Sequence, residues 1–583
     1  MIDSGSRRVH MARAFEYGVV GLAAVAFAAS YGLTYGYDNQ FVYFLKSLTL
    51  TDSSLLRSDW FTNHTTQYHR VFIYFGAFLL KLNARGWAVA ITQFLLVLLG
   101  GLVIYRIVKR VAGAPLAVPA YLLLLSILFI TRTSSVGASY LFDTILQPST
   151  LGALGSIAGT LFFVEERWFA SGICLAAGGA FHANYLVLSY PIFGLAHLAL
   201  GFEGLKRRLI LQFSPLLAIT VVLSPLLLAA SHTKASPEAQ DILFRVRSPH
   251  HYNPARYERN FMPFAAWQLL GIGAGWFLHK VADGRRLGAV LCGLMLTIWA
   301  GTVLTTFYDF PKVNQIFVWR FAPNADLLSQ IFIACAVAHA LAKPSITRHY
   351  PGVAIGLIAA GLGVFGLFWR GKADAPIPNL LFVLLGAVLA ARALDLALDL
   401  LEQFVPARAS MIAQLKRLLA FSPLLLGAYE LSRLAPDRLQ QARQKSTLLK
   451  EDGGRNDDLY RWLREKSPKD AIYLTPPDLD GARFLGQRAI VVDWKAVPLI
   501  PTELLGWYER LCDVTGRVVK GSGDLGGGYG SLDPERLALI VRKYHPEYVV
   551  LRRGAERRFP DLPMVYQNSG YSVLKIADSP APP

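Results

Sequence analysis

The feature that most restricts this chain is a recurrence: apolar runs about as long as a bilayer is thick, separated by short loops carrying Lys and Arg. Crossing the hydrocarbon core takes about 20 apolar residues as a helix. Inside lipid every backbone N–H and C=O must be paired within the segment, so such runs are helices. Spans are expected at 15–36, 87–107, 113–131, 150–165, 168–182, 184–201, 209–230, 264–281, 287–306, 324–342, 351–369, 378–398 and 418–434. The fold class is therefore an α-helical polytopic membrane protein of about 11–13 transmembrane helices. Composition agrees, since 53% of the 583 residues are apolar and only 17% charged, more apolar surface than an ordinary soluble core hides.

The charge of +18 would suggest nucleic acid in a soluble protein, but it is distributed as topology signals are. Basic clusters at Arg106/Lys109/Arg110, Arg167, Lys206/Arg207/Arg208, Lys280/Arg285/Arg286, Lys343/Arg348 and Arg408/Lys416/Arg417 alternate with the spans and mark cytoplasmic loops. Arg7, Arg8 and Arg13 precede the first run, which puts the N-terminus in the cytoplasm. Ala26-Phe27-Ala28 could serve as a signal-peptide cleavage site, but the many spans that follow favour a retained first span. An odd number of spans puts the C-terminal domain outside the cytoplasm. The run from Val71 to Leu82 is too short to cross easily and reads as a helix at the outer interface. Cys174, Cys292, Cys335 and Cys512 have no paired spacing, so neither disulfides nor zinc are inferred.

Residues 1–435 form the membrane part, and 436–583 read as a soluble α/β periplasmic domain that folds by itself and caps the outer cleft. Helices are expected at 457–465, 503–511 and 534–544, and strands at 471–474, 489–494, 548–552 and 571–576. Residues 521–528, rich in glycine, lack the preceding strand and following Lys of a phosphate cradle and read as a flexible loop.

Polar residues gather at the outer ends of the spans. They are Tyr37-Asp38-Asn39-Gln40, Asp59 before Trp60, His64 and His69, Asp143 and Gln147, His182-Ala183-Asn184-Tyr185, Arg247 with His250-His251-Tyr252, and Asp309, Lys312, Gln315, Trp319 and Arg320. In membrane proteins such groups are expensive and mark function. A carboxylate can act as general base, Arg and His can hold a phosphate, and aromatic rings can stack on a sugar. The set suits attack by an acceptor hydroxyl on a sugar carried by a lipid phosphate.

The stretches YDNQFVYFLKSL, LLRSDWF, LQPSTLG, FHANY and RSPHHY, in that order, resemble an uncharacterised bacterial branch of the GT-C superfamily of membrane glycosyltransferases. WLREKSPKDAIYLTPP and RAIVVDWKAVP carry the likeness more weakly into the tail. The resemblance implies transfer, with inversion, of a sugar from a polyprenyl-phosphate donor to an extracytoplasmic glycan, lipid or protein. It places Asp38 as the catalytic carboxylate. Many such enzymes have a second acidic residue beside it, where this chain has Asn39; Asp59 is the expected second carboxylate, and a divalent metal is left open. His69, His182, Asn184, Arg247, His250, His251 and Arg320 are the expected substrate ligands. No nucleotide cofactor and no nucleic acid partner are expected. Two other functions compete: a polar-lipid or solute transporter, which predicts broken helices and repeats, and a non-catalytic assembly protein for envelope polysaccharide.

Overall fold

The computed structural model describes residues 4–82, 86–131, 134–232, 236–257, 261–308, 310–342, 376–449 and 455–576. The expected span 351–369, the Lys343/Arg348 cluster and Asp309 lie outside these residues. Every other expected span falls largely on a helix: α1 (Ser4–Ala29), α3 (Trp87–Ala112), α4 (Ala117–Thr131), α5 (Pro148–Val164), α6 (Trp168–Phe181), α7 (Ala183–Ala199), α8 (Leu205–His232), α9 (Phe261–Phe277), α10 (Ala282–Phe307), α11 (Ala322–Ala342), α12 (Pro376–Phe404) and α13 (Ser422–Lys445). The interfacial run is α2 (Arg70–Leu82). Among the described residues, five helical stretches are long and apolar enough to cross a membrane by length and composition: Trp87–Ala112, Leu205–Pro225, Asp283–Phe307, Val313–Ala342 and Pro406–Gln444. Shorter apolar helices pack between them.

Small residues set the closest packing. Gly155 of α5 faces Gly178 of α6 so tightly that a Cβ on Gly155 would lie 2.7 Å from the Gly178 Cα, the close approach that small residues allow in lipid. Helix α11 is buried along nearly its whole length and forms the centre of the bundle with α4; its buried polar residues Asn324 and Asp326 hydrogen-bond Ser156 and Ser135.

The two ends of the bundle differ. At one end the basic clusters meet acidic partners across helices: Lys109 pairs with Glu16, Arg106 with Glu165 at 2.7 Å, Arg110 with Asp283 at 3.0 Å, and Arg286 with Glu166. At the other end lie the long loops and the C-terminal region. Helix α3 connects them: Gln93 sits near one end and Lys109 near the other, roughly 24 Å apart at helical rise.

Helix α13 runs through Pro436, so the expected boundary lies within a helix. The tail then builds α14 (Arg455–Lys466), β3 (Ile472–Leu474), β4 (Ala489–Ile490), α15 (Pro501–Thr515), α16 (Gly523–Gly530), α17 (Pro534–Tyr544), β5 (Tyr548–Arg552), β6 (Met564–Gln567) and β7 (Tyr571–Lys575). These strands form one sheet of order β4-β3-β5-β7-β6. The pairs β3–β4 and β3–β5 are parallel, and β7 runs antiparallel to β5 and β6. A two-residue ladder, β1 (Ser134–Ser135) with β2 (Ser139–Tyr140), folds the loop after α4.

Two expectations for the tail are corrected. The glycine-rich stretch is helical, because Leu525 and Tyr529, four apart, are both buried and the Tyr529 hydroxyl donates to the Leu474 and Val550 carbonyls. The strand expected at 489–494 stops at Ile490, and Asp493 beyond it accepts from the Ala496 amide in a turn. The tail also packs against the membrane part: its core includes Ala239, Ile242 and Leu243 of the loop after α8. A second core joins Phe484 and Ala496 to Phe44, Leu45 and Phe72 of the first loop and α2.

Candidate functional site

The first loop turns sharply after α1. Gly36 and Asp38 both have positive φ, 67° and 50°, a region Gly enters freely and Asp more readily than most residues. A Cβ on Gly36 would lie 2.8 Å from the tail's Leu485, so the turn is shaped to receive the tail. The Gly36 amide donates to Gln40 Oε1 at 2.8 Å, and the Asp38 side chain, 43% exposed, is left facing the cleft. There it forms an ion pair with Lys495 of the tail.

A second carboxylate is wired to this turn. Asn39 Nδ2 donates to Gln147 Oε1 at 3.1 Å, and Gln147 Nε2 donates to Asp143 Oδ2 at 3.0 Å. Gln93 of α3 donates to the Asp143 carbonyl at 2.5 Å. Burial first, and then the nearby Asp38 charge, push the Asp143 carboxyl up to about 6, against the hydrogen bonds from Thr144 and the attraction of Lys495. Asp480 of the tail is likewise raised to about 6, by burial and by Asp493 and Asp38.

Asp59 has a different setting. It is fully buried, and Oδ1 accepts from the Thr62 amide at 2.8 Å as the N-cap of helix Trp60–His64. Its Oδ2 accepts from Arg483 Nε at 2.8 Å, and Arg483 also donates to Asp493 at 2.6 Å. Both oxygens are committed to holding loop and tail together, and neither faces solvent. Asp143, reached from the Asp38 turn through Asn39 and Gln147, is a second carboxylate near Asp38.

The histidines are brought together as neutral rings. His69 Nδ1 lies 3.1 Å from the Phe181 carbonyl and His251 Nδ1 lies 2.6 Å from the Gly137 carbonyl. A carbonyl oxygen only accepts, so Nδ1 carries the proton in both and Nε2 is left as an acceptor. Burial lowers His69 to about 4 and His251 to about 3, and the Arg320 charge adds to both shifts. His182, at the turn between α6 and α7, has its ring 4.9 Å from that of His69, tilted by 52°, and is lowered by burial and by Arg320. Burial thus favours the neutral rings, and His69 and His251 in these tautomers can accept at Nε2. The His250 ring lies 4.3 Å from that of His251, tilted by 47°, and is half-buried. His64 is exposed. Asn184 Nδ2 donates to the Ile316 carbonyl at 2.6 Å, bracing the segment that carries Arg320.

The cations are Arg247, Arg320 and Lys495. Neither arginine has a carboxylate partner among the described residues. Arg320 lies over the Phe317 ring at 4.5 Å, and its Nε is buried without a hydrogen bond. Arg247 is held at 3.1 Å by the Trp494 carbonyl and stacks 5.1 Å from the Trp494 ring. Tyr43 links the groups: burial raises its hydroxyl, and Arg320, Asp38 and Arg247 all act on it. Sequence reasoning noted Asp143 without giving it a role, and missed Tyr43 and Lys495. The Asp493-Trp494-Lys495 run within RAIVVDWKAVP was the available signal for the last. No three His, Cys, Asp or Glu side chains cluster as a metal set among the described residues.

Residues 456–514 match a family described as a domain of unknown function, DUF6798. The matched segment contains Asp480, Arg483, Asp493 and Lys495, the part of the tail that enters the cleft. No curated protein matches the sequence significantly. Among solved structures, the chain is similar to ArnT from Cupriavidus metallidurans bound to undecaprenyl phosphate, at 15% identity and a TM-score of 0.43 over 96% of this chain and 97% of that one. It is also similar to the Archaeoglobus fulgidus oligosaccharyltransferase tethered with an acceptor peptide, at 12% identity and a TM-score of 0.41 over 92% of this chain and 69% of that one.

Proposed function

We propose that this chain is a membrane glycosyltransferase that moves a sugar from a polyprenyl-phosphate-linked donor to an extracytoplasmic acceptor. The observation that carries this reading is one region in which a half-exposed carboxylate, Asp38, and a partly buried one, Asp143, stand with two arginines that form no ion pair with a carboxylate among the described residues. A lipid phosphate supplies the missing anion. The cleft lies at the end of the bundle away from the basic clusters, which supports an extracytoplasmic position for it and for the tail.

In the reaction, an acceptor lone pair attacks the anomeric carbon as the bond from that carbon to the phosphate oxygen breaks. The electron pair stays on the phosphate, whose growing charge Arg247 and Arg320 stabilise. The acceptor proton passes to Asp38. Asp143, through Gln147 and Asn39, fixes the turn that aims Asp38 and keeps a second negative charge near a developing oxocarbenium-like centre. The neutral histidines and Tyr43 line the sugar side with acceptors and rings.

The test is sugar transfer from polyprenyl-phosphate donors by the protein in proteoliposomes. Asp38→Asn keeps the shape but cannot take a proton, and should lower the rate on the order of 10² to 10⁴ with normal insertion. Near wild-type transfer by Asp38→Asn overturns its role. No transfer by the wild type with any polyprenyl-phosphate sugar favours the non-catalytic assembly reading.

A further inference from the structure

The tail's part in the cleft goes beyond covering it. Residues 493–497 form a fixed turn: Asp493 Oδ1 accepts from the Ala496 amide at 2.7 Å, Trp507 Nε1 donates to the Asp493 carbonyl at 2.9 Å, and the Trp494 amide donates to the Pro477 carbonyl at 2.8 Å. The Lys495 carbonyl accepts from the Val497 amide and, at 3.4 Å, from Arg247. The backbone is thus held from several sides, and it aims the Lys495 side chain at Asp38 while its carbonyls orient Arg247.

The ammonium itself is held differently. Its pair with Asp38 is partly open to water, with the two side chains 20% and 43% exposed, whereas the Arg483 pairs with Asp59 and Asp493 are buried. A partly hydrated pair is weak and easily exchanged. A buried one is not, because separation strands a charge. A lysine is also suited to exchange, being a compact charge on a flexible stem. In the resting cleft it blocks the carboxylate that has to receive the acceptor proton.

We propose that Lys495 is a mobile phosphate ligand supplied by the C-terminal domain: it rests on Asp38 and transfers its ammonium to the donor's phosphate, joining Arg247 and Arg320 and freeing Asp38. This rests on the glycosyltransferase reading above. It would make donor binding and exposure of the base one event, so that an empty site holds its base masked.

The experiment measures binding of undecaprenyl phosphate to the full-length protein in nanodiscs, alongside transfer kinetics for wild type, Lys495→Met, Lys495→Arg and Arg320→Ala. Lys495→Met should weaken phosphate binding and raise the donor KM on the order of 10- to 100-fold, and Lys495→Arg should recover most of the binding. Loss of binding in Arg320→Ala with wild-type binding in Lys495→Met overturns the inference while leaving the glycosyltransferase reading intact. Faster transfer by Lys495→Met also overturns it, marking the lysine as a mask only. No binding of undecaprenyl phosphate by the wild type removes the reading itself, and the inference with it.

Discussion

Cations collect at both ends of the helix bundle, and at each end some are paired with carboxylates and some are held otherwise. Where α3, α5 and α10 meet their basic loops, Arg106, Arg110 and Arg286 each find a carboxylate on a neighbouring helix. At the tail end, Arg247 and Arg320 find carbonyls, rings and neutral histidines instead. Topology requires only that positive charge stay on one side, and paired arginines do that cheaply. Leaving an arginine with a buried, unpaired Nε is costly; Arg320 at the tail end and Arg208 at the other both do so, but among these two only Arg320 acts on Tyr43 together with Asp38 and Arg247. Within the tail end the same contrast recurs between Asp59, whose oxygens are filled, and Asp38, whose partner can leave.

The largest effect expected from breaking this contrast is on folding. Arg483→Met strands Asp59 and Asp493, both buried, and should destabilise the protein by about 3–5 kcal/mol, read as a loss of thermal stability in detergent; a change below about 1 kcal/mol would show that water relieves the pair. Next is Arg320→Ala, which should lower transfer on the order of 10² to 10³ while leaving the melting temperature close to wild type. Equal losses of stability and activity would make Arg320 structural.

The third effect is on pH. The Asp143 carboxyl is raised to about 6 by burial and Asp38, with Lys495 pulling it down. If its charge is needed, transfer should fall as pH drops through about 6, and Asp143→Asn should abolish that limb even if Asp480, also near 6, keeps titrating. Stability runs the other way. A carboxyl raised from its ordinary 3.8 favours the folded state fully below that value, and the contribution is lost as pH rises through about 6. A pH–rate profile and melting curves between pH 3 and 8 should therefore slope in opposite directions. A flat profile through pH 6 would remove Asp143 from the chemistry. The smallest effect is Arg106→Ala, an exposed pair at the other end, worth about 0–1 kcal/mol and no activity; a large loss of transfer there would erase the contrast between the ends.

The helical part was legible because lipid imposes a rule that sequence obeys locally: run length located the helices, and the Arg106/Lys109/Arg110 cluster and Arg286 do meet in space at Glu16, Glu165, Glu166 and Asp283. Asp38 was legible as a polar residue at a span's end. What failed was long-range. The Asp38–Lys495 pair joins positions 457 apart and Asp59–Arg483 positions 424 apart, and no periodicity encodes such pairing. The histidines were legible as polar residues near span ends, but not the burial that favours their neutral form, because the elements that cover them come from elsewhere in the chain. The glycine-rich stretch was misread because two buried side chains outweighed its weak helix propensity.

The shared cores between the first loop and the tail also order events in time. At bacterial elongation rates of about 5–20 residues per second, the 424 residues between Asp59 and Arg483 take roughly 20 to 85 s to synthesise. For that interval the ribosome-bound chain carries a first loop whose Asp59 has no arginine to fill its second oxygen, and a chain that stops short of Arg483 never closes this loop.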